Sequence, residues 1–152
     1  MIAKNKSGWI LHEHINISEK EICNYSNVTG AYAIVKIQDK YLIGFNNWRK
    51  QWEFPAGGIE EGETARQAAI RELFEETHQS IVDFVFKGLF KVTDSHGITK
   101  YQAVFLGEST ELIPFIHSDI DEMEKIYLWD LKEDIGYVDE CDKAIVEIVS
   151  GM

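Results

Sequence analysis

The sequence predicts an α/β fold, a single mixed β-sheet with two packed helices. Two observations predict it. Stretches of alternating apolar and polar residues lie on both sides of one capped, acidic helical segment. The elements also run strands, helix, strands, helix along the chain. The 152 residues suit one domain, 1–152, able to bury roughly two-thirds of the surface of its unfolded chain. No repeat or low-complexity tract interrupts it, and only Pro55 and Pro114 are prolines.

Residues 1–27 carry the weakest pattern. Trp9-Ile-Leu and His14-Ile-Asn-Ile17 fit an edge strand or a hairpin. Ala31-Tyr-Ala-Ile-Val-Lys-Ile37 alternates at period two and predicts a strand. Gln38-Asp39-Lys40 predicts a tight turn, and Tyr41–Phe45 its hairpin partner. Trp52-Glu-Phe54 is a short strand ending at Pro55, followed by a loop over Ala56–Glu63. Thr64 and Gln67 form a capping box that starts a helix running to about Thr77. Strands are expected at Val82–Thr93 and Ile98–Gly107, joined by a turn at Asp94-Ser95-His96-Gly97, with a last strand at Lys125–Trp129. Asp139 caps a second helix whose apolar side carries Ala144, Ile145, Ile148 and Val149.

Composition excludes several classes. Hydrophobic residues make up 45% and charged residues 27%, as in globular chains. No apolar run approaches the roughly 20 residues that span a bilayer, and the N-terminus lacks the apolar core of a signal peptide. No membrane partner and a cytoplasmic location are therefore expected. Cys23 and Cys141 fit no metal spacing and are expected to be reduced and buried. A net charge of −11 argues against binding polymeric nucleic acid, whose phosphates need clustered Lys and Arg. It leaves room for a small phosphorylated substrate reached through a metal ion. His12-Glu13-His14 lacks helical spacing and a third ligand, so a surface strand is expected there. Tyr32, Phe45, Trp52 and Phe54 are expected in the core, and His96 and His117 in loops.

The first helix carries the chemistry. Glu72, Glu75 and Glu76 stand at i, i+3 and i+4, which puts three carboxylates on one face. Ala65, Ala68 and Ala69 are expected on that side, leaving it unshielded. Ile70, Leu73, Phe74 and Thr77 are expected to pack against the sheet. Like charges at this spacing cost roughly 0.2–0.5 kcal/mol per pair. The helix dipole disfavours anions near the C-terminus by roughly 0.3–1 kcal/mol each. Arg71 can offset part of this by pairing with Glu75, and a hard divalent cation would offset more. A solvated acidic face is the commoner meaning of such spacing taken alone. The preceding loop shifts the balance, because Gly57, Gly58 and Gly62 permit close backbone approach and Glu63 can reach Arg71.

The string Gly57, five residues, Glu63, seven residues, Arg71-Glu72-Leu73-Phe74-Glu75-Glu76 resembles the Nudix box, and Trp52-Glu-Phe-Pro-Ala-Gly-Gly58 resembles its usual lead-in. Two positions depart from the pattern. His78 stands where the family has glycine, and Gln79 where it has an apolar residue. That glycine sits where a helix commonly exits in the left-handed conformation, so the departure bears on the helix exit more than on the acids.

The resemblance implies a Nudix-type α/β/α sandwich with a mixed sheet and two main helices. It also implies hydrolysis of a phosphoanhydride in a nucleoside diphosphate linked to another group. Glu72, Glu75, Glu76 and the Ala56 carbonyl would hold Mg²⁺ or Mn²⁺, with Arg71 and Glu63 orienting them. The cation would neutralise the diphosphate and acidify a water, and Glu72 or another carboxylate would take the proton. Glu122 stands where the family often places a further glutamate, with Asp119 and Asp121 as weaker candidates. Arg49 and Lys50 are candidate phosphate contacts, and Gly57 and Gly58 candidate substrate-binding backbone. A modified or surplus nucleoside triphosphate is the expected small-molecule substrate, with ADP-ribose or a nucleotide sugar as the alternative. A non-catalytic nucleotide-sensing module is a remoter alternative. A prenyl-diphosphate isomerase is remoter still, since neither cysteine lies near the box. Family habit implies a homodimer.

Overall fold

The computed structural model describes residues 1–118 and 122–152. Among these, nine strands form one mixed sheet: β1 Ala3–Lys4, β2 Ile10–Ile15, β3 Val28–Ile37, β4 Lys40–Asn46, β5 Gln51–Glu53, β6 Ala56–Gly58, β7 Val85–Thr93, β8 Thr99–Ser109 and β9 Met123–Trp129. Two helices accompany them, α1 Ala65–Thr77 and α2 Glu140–Ser150. The sheet runs β1-β2-β7-β8-β3-β4-β5, with β6 also paired to β3 and β9 to β4. The β3–β8 pair is parallel and its neighbours are antiparallel. Residues 1–27 supply the β1–β2 hairpin, which docks on β7 and ends in β1 as an edge. A short 3-10 turn follows at Glu19–Asn24.

β3 explains the layers. Its even and odd residues face opposite sides of the pleat. Ala31, Ala33, Val35 and Ile37 belong to one buried cluster with Ala65, Ala68, Ala69 and Leu73 of α1. Ile34 belongs to the other, with Phe54, Trp129 and Ile145, Val146 and Val149 of α2. The sheet is therefore sandwiched between the two helices, as expected.

Several expectations need correction. Ala65, Ala68 and Ala69 do not flank an open acidic face; they are buried against Ala31, Ala33 and Ala103. Small residues on both sides bring α1 close to the sheet. Phe74 does not pack on the sheet, since it is 54% exposed, whereas Leu73 and Thr77 are buried. Ala56–Gly58 is not loop but a strand, because its backbone pairs with Gly30–Tyr32 of β3. The buried side of α2 is turned by about one residue from the expected one, so that Cys141, Asp142, Ile145, Val146 and Val149 face inward. Cys23 is exposed, and only Cys141 is buried. Burial beside Asp139 and Asp142 pushes the Cys141 thiol up to about 12, which keeps it protonated and inert.

The remaining aromatic and histidine positions fall close to expectation. Trp52 and Phe54 are buried, and Tyr32 and Phe45 pack at the edge of the same core. His12 and His14 lie on β2, where their Nε2 atoms meet Thr93 Oγ1 at 2.5 Å and the Lys87 carbonyl at 2.6 Å. No helix among the described residues is long and apolar enough to cross a membrane.

Candidate active site

The site grows from the start of α1. Thr64 Oγ1 accepts from the Gln67 amide at 3.1 Å, and Gln67 Oε1 accepts from the Thr64 amide at 2.9 Å, so the capping box is complete. Immediately before the cap, Glu63 accepts two hydrogen bonds from Arg71, at 2.8 and 2.9 Å. Arg71 also donates to the Gly58 carbonyl at 2.9 Å, to Glu72 at 2.8 Å and to Glu75 at 3.2 Å. The loop, the β6 backbone and the helix are thereby tied to one guanidinium.

The three helix glutamates are not equivalent. Glu75 is half-exposed and faces Arg71. Glu72 is folded inward, with its carboxyl directly over the Gly57 Cα; a Cβ at position 57 would lie 2.1 Å from Glu72 Cδ. Glu76 is 9% exposed, and its Oε2 has no hydrogen-bond partner among the described residues. Burial pushes Glu76 well above the usual carboxylate range; the adjoining Glu72 and the charge of Glu122 act in the same direction, and the Ala56 N–H opposes them. No three His, Cys, Asp or Glu side chains among the described residues converge into a ready-made cage. What the fold brings together is two carboxylates, one with an orphaned buried oxygen, beside the Ala56–Gly57 backbone. All these donors are oxygens, and one or two carboxylates with room for water and phosphate is the set that suits Mg²⁺.

The departures from the family pattern are accommodated. His78 adopts φ 65° and ψ 13°, the left-handed exit that glycine would take, and its amide still bonds to the Phe74 carbonyl. Gln79 is buried and bonds to the Ile113 backbone through both ends of its amide, at 2.7 and 2.9 Å.

A second acidic network adjoins the first. Arg49 donates to Glu53 at 2.7 and 3.1 Å and to Glu122 at 2.7 Å. Asn46 Nδ2 donates to the same two carboxylates, at 3.0 and 2.7 Å. Glu122 is thus clamped near Glu76, while Lys50 turns away and donates to Asn47. Asp119 and Asp121 lie outside the described residues. Sequence reasoning missed Asn46, Gln51, Glu53 and Asp142 and took Asp139 only as a cap. The available signal was Asp142, a charge on the apolar side of α2.

These groups border a cavity of about 470 Å³ on the α2 side of the sheet. Gly57 and Gly58 line it, so β6 stands between the cavity and the Glu72–Glu76 pair.

Two effects follow from this geometry. Gly57→Ala should fold, because the obstruction is the end of a flexible side chain, but it will displace the Glu72 carboxyl. Turnover and metal affinity should fall about 10–100-fold, with a change of only a few degrees in Tm, measured side by side. The second concerns acid. The Arg71 fork, with the Glu60 amide, holds Glu63 down at about 2 from an ordinary 4.5. Its stabilisation is complete above pH 4.5 and is lost as pH falls toward 2. The stability gap between wild type and Glu63→Gln in urea melts should therefore shrink over that window.

Comparison with known proteins gives the family. The family model described as NUDIX domain matches residues 29–141. A segment of 46 residues is 44% identical to the RNA pyrophosphohydrolase of Francisella philomiragia, covering 30% of each chain. A segment of 36 residues is 58% identical to the enzyme of that name from Sphingopyxis alaskensis, covering 22% of this chain and 23% of that one. The matches span under a third of these relatives' length. Among solved structures, a pyrophosphohydrolase from Bacillus subtilis aligns with TM-score 0.72 at 18% identity, covering 98% of this chain and 92% of that one. A NUDIX hydrolase from Nitrosomonas europaea gives 0.66 at 25% identity, covering 84% and 90%. The NUDIX domain of Shewanella oneidensis NrtR, solved with ADP ribose, gives 0.69 at 16%, covering 89% and 97%.

Proposed function

The chain belongs to the Nudix hydrolase family, and from that premise we propose that it is a divalent-metal-dependent pyrophosphohydrolase of nucleoside triphosphates. The observation that carries this reading is the orphaned Glu76 Oε2 beside Glu72 and the Gly57 backbone. Glu72 and Glu76, with the Ala56 carbonyl, would hold Mg²⁺ or Mn²⁺, and Glu75 would contribute from the exposed side. When bound, the cation supplies charge neutralisation at the phosphates and acidifies water.

The chain's own groups do the rest. Arg71 and Glu63 hold the helix acids against β6. Glu122, clamped by Asn46 and Arg49, takes the proton from the attacking water. Gly57 and Gly58 present backbone to the substrate without side-chain bulk. Arg49, half-exposed at the cavity, meets phosphate on the face that Glu53 and Glu122 leave open.

A second reading is the triphosphate end of an RNA chain, favoured by the names of the two matched relatives. The net charge of −11 favours the free nucleotide, because a polymer adds repulsion at every further phosphate. One screen separates the readings. Nucleoside triphosphates, ADP-ribose, nucleotide sugars, dinucleoside polyphosphates and a 5′-triphosphorylated RNA oligomer are incubated with Mg²⁺ or Mn²⁺, and phosphate and pyrophosphate are measured. Pyrophosphate release from mononucleotides supports the first reading; preference for the RNA oligomer overturns it in favour of the second. No turnover of any of them sinks both.

A further inference from the structure

We propose that the two departures from the box, His78 and Gln79, form a latch that holds the segment 110–118 and through it positions Glu122. The latch rests on the pyrophosphohydrolase reading for the role of Glu122 and adds two positioning residues to it.

The segment needs anchors from outside itself. Between the end of β8 at Ser109 and the start of β9 at Met123, the described residues form no helix and no strand. Pro114 has no N–H to give to a sheet, and it pushes Ile113 toward extended backbone.

The exit of α1 supplies the anchors. Gln79 is 3% exposed. Its Oε1 accepts from the Ile113 N–H at 2.9 Å, and its Nε2 donates to the Ile113 carbonyl at 2.7 Å. The same Nε2 donates to the Thr77 carbonyl at 2.9 Å. The carboxamide orientation is thereby fixed, because only its oxygen can accept from an N–H. Gln79 thus exchanges both bonds with one residue, as a paired strand would. Two positions along, the Phe115 ring lies against His78, with centroids 4.7 Å apart. Glycine at position 78 would take the same left-handed backbone without offering a ring. An apolar residue at position 79 would give the Ile113 backbone no partner.

The segment leads to the second acidic network. Two positions beyond Phe115, His117 Nδ1 meets the Met123 carbonyl at 3.1 Å, next to Glu122. Contacts at 113, 115 and 117 recur at the period of extended chain. The Glu122 carbonyl accepts from the Asn47 N–H at 2.8 Å, and its carboxylate from Asn46 and Arg49. Glu76 stands two residues before His78 on α1. The latch therefore ties the helix that carries Glu72 and Glu76 to the chain that delivers Glu122.

The test compares wild type with Gln79→Leu, His78→Gly and Phe115→Ala. Leucine keeps apolar bulk at a buried position, and glycine keeps the left-handed exit, so both variants should fold. In the whole metal-free protein, amide exchange is followed by NMR. Exchange should speed up at least tenfold at Ile113 in Gln79→Leu. It should also speed up at Asn47 in all three variants, with the α1 amides of Ala69 and Leu73 unchanged. His78→Gly and Phe115→Ala together should do no more than either alone, because they open the same contact. Turnover is then measured with Mg²⁺ and the fastest of GTP, ATP, CTP and UTP. In Gln79→Leu, kcat should fall about tenfold while KM stays within twofold, since Glu122 serves the reaction and not binding. Unchanged exchange at Asn47, an unchanged kcat, or a KM that rises while kcat holds would overturn the latch. If wild type turns over none of the nucleotides, the hydrolase reading falls and exchange at Asn47 alone decides the latch.

Discussion

Glu76→Gln should lower metal-dependent turnover by about 10³-fold while raising the melting temperature of the metal-free protein. The two effects have one origin. Glu76 is buried beside Glu72, its Oε2 has no hydrogen-bond partner among the described residues, and it lies in the last turn of α1, where the helix dipole opposes an anion. In the absence of a cation this is a destabilising arrangement, because an unsatisfied buried polar group costs about 1–3 kcal/mol and a charged one more. Glutamine keeps the volume and removes the charge, so the metal-free fold should melt a few degrees higher. The same change removes a hard oxygen ligand. Losing about 4 kcal/mol of transition-state stabilisation corresponds to the stated fall in rate. Calorimetry with EDTA and with Mn²⁺ separates the two. Wild type should gain about 2.7 kcal/mol at a hundredfold excess of cation over its Kd, and the variant little. Equal Mn²⁺ shifts and equal turnover in the two proteins would refute the assignment.

What the sequence made legible was short-range. The span of α1, its Thr64–Gln67 box, the Glu63–Arg71 pairing and the turn at Gln38–Asp39 depend on residues no more than eight positions apart or on one continuous helical run. They appear in the structure nearly as expected. The orientation of α1 was not legible. Spacing puts Glu72, Glu75 and Glu76 on one arc, yet which edge of that arc faces the sheet depends on Ala31, Ala33 and Ala103. These lie tens of residues away, and their small size admits Ala68 and Ala69 rather than Phe74. That rotation buries Glu76 and leaves Glu75 outside. The second acidic network was hidden for the same reason, since Asn46, Glu53, Glu122 and Asp139 meet only after β4, β5 and the start of α2 are assembled. Asp142 was the exception, because a carboxylate among Cys141, Ile145 and Val146 is out of pattern wherever the helix packs.

Arg71→Ala should lower both stability and turnover. A guanidinium has five N–H donors. In this fold the Arg71 Nε, Nη1 and Nη2 serve Glu63 twice and Glu72, Glu75 and the Gly58 carbonyl once each. Its removal strands Glu63 and Glu72, whose side chains are only 14% and 16% exposed, and leaves Glu72 beside Glu76 with no cation. Arg71 is 23% exposed, so solvent screens the pair and the loss falls between that of an exposed and that of a buried ion pair. A cation bound at Glu72 and Glu76 would offset part of that loss, so the deficit should be larger in EDTA than in Mn²⁺. Arg71→Lys restores a charge but not the fork, since an ammonium cannot serve Glu63 at both oxygens while reaching Glu72 and the Gly58 carbonyl. It should recover part of the stability and little of the turnover. In a double-mutant cycle, Glu63→Gln and Arg71→Ala together should cost less than their sum, because both remove the same pair. Urea melts of the four proteins measure that coupling, and simple additivity would show that Arg71 does not hold the box together.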